Sequence, residues 1–193
     1  APEFFPLGET IVTWTVTDTS GNSTSDTQLI KVVDSTSPLI TVPDDLEIEI
    51  NDSNGMVLEI GIPYADDLIG VVSITNDAPE FFPLGETIVT WTATDESGNS
   101  SSDTQLIKLV DTVLPTISSP ADIITEAVSL DTNILDLGTP NSTDSISITS
   151  VTNDAPEFFP LGETIVTWTA TDESGNSSSD TQLIKLVDTV SPI

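Results

Sequence analysis

The sequence predicts an all-β chain: tandem immunoglobulin-like β-sandwiches on a 77-residue repeat, forming an elongated rod. Three observations carry that expectation. The stretch APEFFPLGET begins at Ala1, again at Ala78 and again at Ala155. Within each copy the residues alternate with period two. In ETIVTWTATD, Val89, Trp91 and Ala93 alternate with Thr90, Thr92 and Thr94, as expected of a half-buried strand. Elsewhere Pro and Gly punctuate the chain roughly every ten residues, the spacing of short strands in an antiparallel sandwich.

The elements follow in order. Residues 1–36 hold only the closing hairpin of a module, residues 37–113 and 114–190 are complete modules, and residues 191–193 begin another. The hairpin is built from ETIVTWTATD, the turn ESGN and the returning strand TQLIKLVD. Gly98 supplies the positive φ the turn requires. Trp91 is expected at the centre of the core. The partial module at 1–36 admits two explanations: a cut from a longer array, or completion by strands from another chain, because an isolated hairpin is marginal in water.

The two halves of the period differ. Thr75–Val113 equals Thr152–Val190 at every position, whereas 37–74 and 114–151 share few identities. Pro38/Pro115, Pro43/Pro120, Asp45/Asp122, Gly61/Gly138 and Pro63/Pro140 are among those kept. Either gene conversion was confined to one half, or that half carries a face that meets the same neighbour in every repeat.

Composition narrows the function. The chain has 32 acidic residues against 3 cationic ones, with no His and no Cys, for a net charge of −29. Such a charge argues against nucleic acid and against anionic membrane surfaces. It suits cation binding or a divalent-rich setting. No apolar run is long enough to span a bilayer. Without imidazole, thiolate or guanidinium, enzymatic chemistry lacks its usual groups, and a non-catalytic role is expected.

The ordered motifs, a "VDTVLP" junction, "P-ADI", "FPLGETIVTWTATDESGN" and a closing "LVD", resemble the hyalin repeat (HYR) family and Ig-like tandem modules of microbial surface proteins. The resemblance implies an Ig-like fold, an extracellular, cell-surface location and tandem use in adhesion or surface structures. It also implies a departure. The cysteine pair common in animal members is replaced by Val42 or Ser119 and by Asp103 or Asp180. The clamp must then come from packing or a metal.

Calcium is the expected cofactor, because Ca²⁺ takes six to eight oxygen ligands, mostly carboxylates and carbonyls. The sequence pairs Asp34 with Asp45 and Asp111 with Asp122 at the module junctions, with Asp188 repeating Asp111. Asp95 and its copy Asp172, with Glu96 and Asn99, form a separate loop cluster, with the preceding module as the neighbour it can face. The competing explanation is that Asp95 and Asn99 only satisfy turn amides and Asp111 caps the linker. Asn22, Asn51, Asn99, Asn141 and Asn176 each open an N-x-S/T sequon, so a glycoprotein is expected. Lys31, Lys108 and Lys185 recur at one strand position, as outward residues or in salt bridges. Of the adjacent Phe81 and Phe82, a regular strand buries one, while a loop can fold both inward.

The expected function is a structural repeat of an extracellular surface filament or fibre, with copies of the chain making equivalent contacts. Other surface proteins or glycans are further candidate partners. The alternative is a stalk that presents the distal binding domain of an adhesin. The acidity, the lack of Cys and the sequons suggest a microbial source.

Overall fold

The computed structural model describes residues 2–52, 54–129 and 135–191. Among these residues every regular element is a β-strand. The opening hairpin is β1 (Gly8–Thr17) and β2 (Ser23–Val32). The next period supplies β3 (Leu39–Thr41), β4 (Leu46–Glu49), β5 (Tyr64–Asp66), β6 (Val71–Asn76), β7 (Gly85–Asp95) and β8 (Ser100–Val110). The last supplies β9 (Thr116–Ser118), β10 (Ile123–Glu126), β11 (Asn141–Thr143), β12 (Ile148–Asn153), β13 (Gly162–Asp172) and β14 (Ser177–Val187). Each period thus forms one four-stranded sheet, ordered β4-β8-β7-β6 or β10-β14-β13-β12, and one two-stranded sheet, β3-β5 or β11-β9.

The residues cluster into two compact units. One comprises 1–45, 59–79 and 88–106, the other 46–58, 80–87 and 107–193. Strands β7 and β8 contribute residues to both. In the second unit, β13 shows why the identical segment makes a strand. Val166, Trp168, Ala170 and Asp172 are buried, while Glu163 and Ile165 face out. The returning β14 buries Gln182, Ile184 and Leu186 on the same face. Phe159, Val166, Trp168, Ile184 and Leu186 form the core, against which Ile117 of β9 and Ile123 of β10 pack. Each such aliphatic or aromatic side chain contributes about 1.5–3 kcal/mol on burial.

The turn joining β13 to β14 is closed by the backbone bond from Asp172 N–H to the Asn176 carbonyl (3.0 Å) and by Asn176 N–H to Asp172 Oδ1 (2.8 Å). Gly175 takes φ +90° there, a conformation L side chains avoid. Below the Trp lies a buried polar network. Trp168 Nε1–H donates to Gln182 Oε1 (3.1 Å), and Gln182 Nε2 donates to the carbonyls of Ala121 (2.8 Å) and Leu137 (3.1 Å). Trp91, Gln105, Asp44 and Ile60 repeat it.

The few identities kept in the divergent half have local physical reasons. Gly61 at φ +93° lies against Pro43, where an added Cβ would come within 2.9 Å of the ring. The Pro38 and Pro115 carbonyls accept hydrogen bonds from the Ser101 and Ser178 hydroxyls. Glu49 and Glu126 accept from the backbone and hydroxyl of Thr112 and Thr189, which follow the last strand of each period.

The paired phenylalanines divide. Phe82 is 2% exposed and Phe159 3%, whereas Phe81 and Phe158 face solvent at 56% and 40%. The inward folding of both rings, one of the two expectations, is therefore corrected. The loop is anchored at the buried ring's own residue by an isolated bridge, Met56 to Phe82. Phe82→Ala is expected to lower unfolding free energy by about 3–5 kcal/mol. Phe81→Ala should stay within about 0.5 kcal/mol. Equal urea midpoint shifts would contradict this division. The lysines are both outward and paired, Lys31 with Glu9 (3.7 Å), Lys108 with Glu47 (3.3 Å) and Lys185 with Glu163 (2.7 Å). Exposed pairs of this kind contribute about 0–1 kcal/mol each.

Candidate metal centre

Two carboxylate triads recur 77 residues apart: Asp34, Asp67 and Asp95, and Asp111, Asp144 and Asp172. In each triad one oxygen per residue lies within 4.8 Å of the others. Each triad combines the closing Asp of one repeat with two residues of the next. Asp95 ends β7 and Asp172 ends β13, so each is carried at a hairpin turn. Asp67 and Asp144 sit in the loops after β5 and β11, where they accept Ile69 N–H (2.9 Å) and Ile146 N–H (2.8 Å).

The hairpin asparagine links two members of each triad. Asn99 Nδ2 donates to Asp95 Oδ2 (2.8 Å) and faces the Asp34 carbonyl and Oδ2, each at 3.4 Å. In the second triad Asn176 Nδ2 donates to Asp172 Oδ2 (2.9 Å) and to the Asp111 carbonyl (3.0 Å). Ser174 Oγ donates to Asp111 Oδ2 (3.0 Å). The Thr36 hydroxyl, then its N–H, hold the Asp34 carboxyl below the ordinary carboxylate range.

Burial sharpens the electrostatics. Asp95 and Asp172 are each 1% exposed and Asp111 is 6%. Like charges about 5 Å apart repel by roughly 3 kcal/mol per pair at an effective dielectric near 20. The chain's three cationic side chains are Lys31, Lys108 and Lys185, and each is engaged with a Glu instead. The donors left around the triads are neutral N–H and O–H groups. The oxygen-only ligand set, three carboxylates beside a backbone carbonyl, is the hard-ligand chemistry that fits Ca²⁺.

The structure regroups the residues expected from sequence. Asp34 and Asp95 come together, as do Asp111 and Asp172, so the loop cluster of Asp95 or Asp172 faces the preceding module and takes in its closing Asp. Asp45 and Asp122 do not join Asp34 and Asp111. They cap the edge of the four-stranded sheets, accepting Leu106 N–H (2.8 Å) and Leu183 N–H (2.9 Å). Asp188 accepts Val190 N–H (3.1 Å), beyond which residues 192–193, most of the module start expected at 191–193, lie outside the described residues. The reading missed Asp67 and Asp144, although they are one of the matches kept 77 residues apart in the divergent half.

The sequons divide as well. Asn22, Asn51 and Asn141 are exposed, whereas Asn99 and Asn176 are part-buried with their amide nitrogens committed to the triads.

At the position that the resemblance gives to a cysteine pair, Ser119 and Asp180 do meet. Asp180 Oδ2 accepts Ser119 N–H (2.8 Å), and its Oδ1 accepts Thr181 N–H (2.9 Å). These bonds, Ser119 first, hold the Asp180 carboxyl below its ordinary value of 3.8. A lowered folded-state pKa adds stability that is complete above 3.8 and is lost as pH falls through the folded value. The difference in melting temperature between wild type and Asp180→Asn is expected at about pH 6 and should close near pH 2.5. A gap that persists at the acid end would contradict the assignment.

The family model of the HYR domain matches residues 33–108 and again 110–185. Hyalin of Strongylocentrotus purpuratus is 40% identical over 210 residues, covering 99% of this chain and 17% of the relative. Hyalin of Lytechinus variegatus is 39% identical over 203 residues, covering 96% and 38%. The "Sushi, von Willebrand factor type A, EGF and pentraxin domain-containing protein 1" of Rattus norvegicus is 37% identical over 105 residues, 51% of this chain and 3% of the relative. Among solved structures, protocadherin gamma B7 extracellular cadherin domains 1–4 aligns with TM-score 0.36 and 13% identity over 88% of this chain and 55% of that one. These relatives are animal proteins, so the comparisons lend no support to the microbial source that composition suggested. No helix is long and apolar enough to cross a membrane among the described residues. The chain belongs to the HYR domain family, a family of extracellular, non-enzymatic repeats of the adhesion type.

Proposed function

We propose that this chain is a structural segment of an extracellular adhesive array whose successive repeats are fastened by calcium at the two aspartate triads. The observation that supports the reading is the repetition of one geometry: the closing Asp of each period meets the hairpin Asp and a loop Asp of the next. An ion there neutralises carboxylates that the chain's own lysines leave uncompensated, and it holds two consecutive repeats by one set of ligands. Asp34, Asp67 and Asp95, and Asp111, Asp144 and Asp172, are the carboxylates that would bind. The Asp34 and Asp111 carbonyls are nearby oxygen donors. In the array, copies of the chain meet through their identical halves and form a fibre.

Thermal melts in EGTA and in calcium test the reading. Sites in extracellular modules typically have Kd of about 10⁻⁴–10⁻³ M. At about 10 mM calcium each site then adds about 1.4–2.7 kcal/mol, and the melting temperature should rise by roughly 5–15 °C. Superimposable melts would overturn the proposal.

A further inference from the structure

The outer face of the repeated hairpin carries a ladder that the core does not use. On β13 and β14 the outward cross-strand pairs are Glu163–Lys185, Ile165–Leu183, Thr167–Thr181, Thr169–Ser179 and Thr171–Ser177. On β1 and β2 the same ladder reads Glu9–Lys31, Ile11–Leu29, Thr13–Thr27, Thr15–Ser25 and Thr17–Ser23. The segment on β7 and β8 is identical in sequence to that on β13 and β14. The hydroxyls bond across the strands, as in Thr92–Ser102 and Thr169–Ser179, each at 2.9 Å.

Two properties set this face apart. On the two hairpin strands its charge is zero, one Glu against one Lys, with Glu47 of the neighbouring β4 paired to Lys108, in a chain that averages more than one net negative charge per ten residues. It also exposes an aliphatic side chain at one position in every repeat: Ile11 at 68%, Ile88 at 68% and Ile165 at 67%. Two chains of net charge −29 repel wherever their carboxylates face each other. A neutral face avoids that repulsion, and its Glu–Lys row is self-complementary, since each sign can meet its opposite on an inverted copy. An isologous contact needs such a surface.

We infer that the outer face of the closing hairpin is where a second copy of this chain docks. The Ile–Leu pairs pack on their counterparts and the hydroxyl ladders align beside them. The inference rests on the proposed array and names the surface that its contacts use. It also explains why an outward Ile is kept at a position where the core gains nothing from it.

Sedimentation velocity over a concentration series, in calcium and about 0.15 M salt to screen long-range repulsion, is the test. The wild type should associate with increasing concentration. Ile11→Glu, Ile88→Glu and Ile165→Glu together should weaken association at least tenfold while leaving the melt and its calcium response unchanged. Val57→Glu, Ile62→Glu and Val190→Glu together add the same charge at exposed aliphatics outside the ladder, 62%, 93% and 72% exposed, and should leave association intact. Trp14→Ser removes the exposed aromatic of the first hairpin, on the face opposite Ile11 and 60% exposed. A wild type that stays monomeric throughout overturns the inference. So does association that survives the ladder variant, or that Trp14→Ser alone abolishes. None of these outcomes touches the calcium reading, which the melts decide.

Discussion

Gln182→Leu should destabilise the protein by about 3–5 kcal/mol, more than a typical core substitution. Gln182 is fully buried. Its amide satisfies three groups at once: the Trp168 indole N–H and the carbonyls of Ala121 and Leu137. Leucine keeps the volume and removes every partner. Each buried group left unpaired costs about 1–3 kcal/mol, and the apolar gain of leucine offsets only part of that. The first hairpin provides an internal comparison. Gln28 accepts the Trp14 indole N–H at 3.0 Å on an exposed face, where water replaces a lost bond. Gln28→Leu should therefore change stability by less than about 0.5 kcal/mol. Urea midpoints of the two variants measure the contrast, and equal shifts would contradict the role given to the buried network.

The second large effect concerns the triads. Asp95→Asn with Asp172→Asn removes the most buried carboxylate from each cluster and leaves the backbone N–H groups of residues 97, 99 and 176 an oxygen to accept, at the cost of the bonds from the Asn99 and Asn176 side-chain amides to Oδ2. In EGTA this variant should be as stable as the wild type or more so, because the relieved like-charge repulsion outweighs those bonds. In calcium it should fail to gain the rise of roughly 5–15 °C expected of the wild type. The sign of the effect thus reverses with the ion. A variant destabilised equally in both conditions would show that Asp95 and Asp172 serve the turns alone.

Parts of this architecture are legible in the sequence for clear reasons. The closing hairpin has eleven-residue strands whose alternation is uninterrupted, so its inward and outward faces could be read directly. The strands of the divergent half, such as β3 and β9, have only three residues, too short for a period to show. The triads lie between. Asp34, Asp95, Asp111 and Asp172 are identifiable as candidates, and the antiparallel hairpin places Asp95 at the end opposite Asp111, toward the preceding module. What one hairpin does not show is that Asp34 reaches it. The hairpin turn returns to the end of the module where the chain enters, and Ser101 beside the turn binds the Pro38 carbonyl at the entry. Contacts between residue 34 and residue 99 are set by that tertiary return. Asp45 and Asp122 drew attention as neighbours in sequence, yet their carboxylates serve sheet edges instead.

Calcium titration by isothermal calorimetry, on the wild type and on Asp67→Asn with Asp144→Asn, decides whether the triads hold the ion. Among the described residues these two carboxylates each accept one N–H, from Ile69 and Ile146, so the fold should survive their change. The account predicts two ions per wild-type chain, one for each triad, and their loss in the double variant. Heat of dilution alone for the wild type, or an unchanged isotherm in the variant, would contradict it.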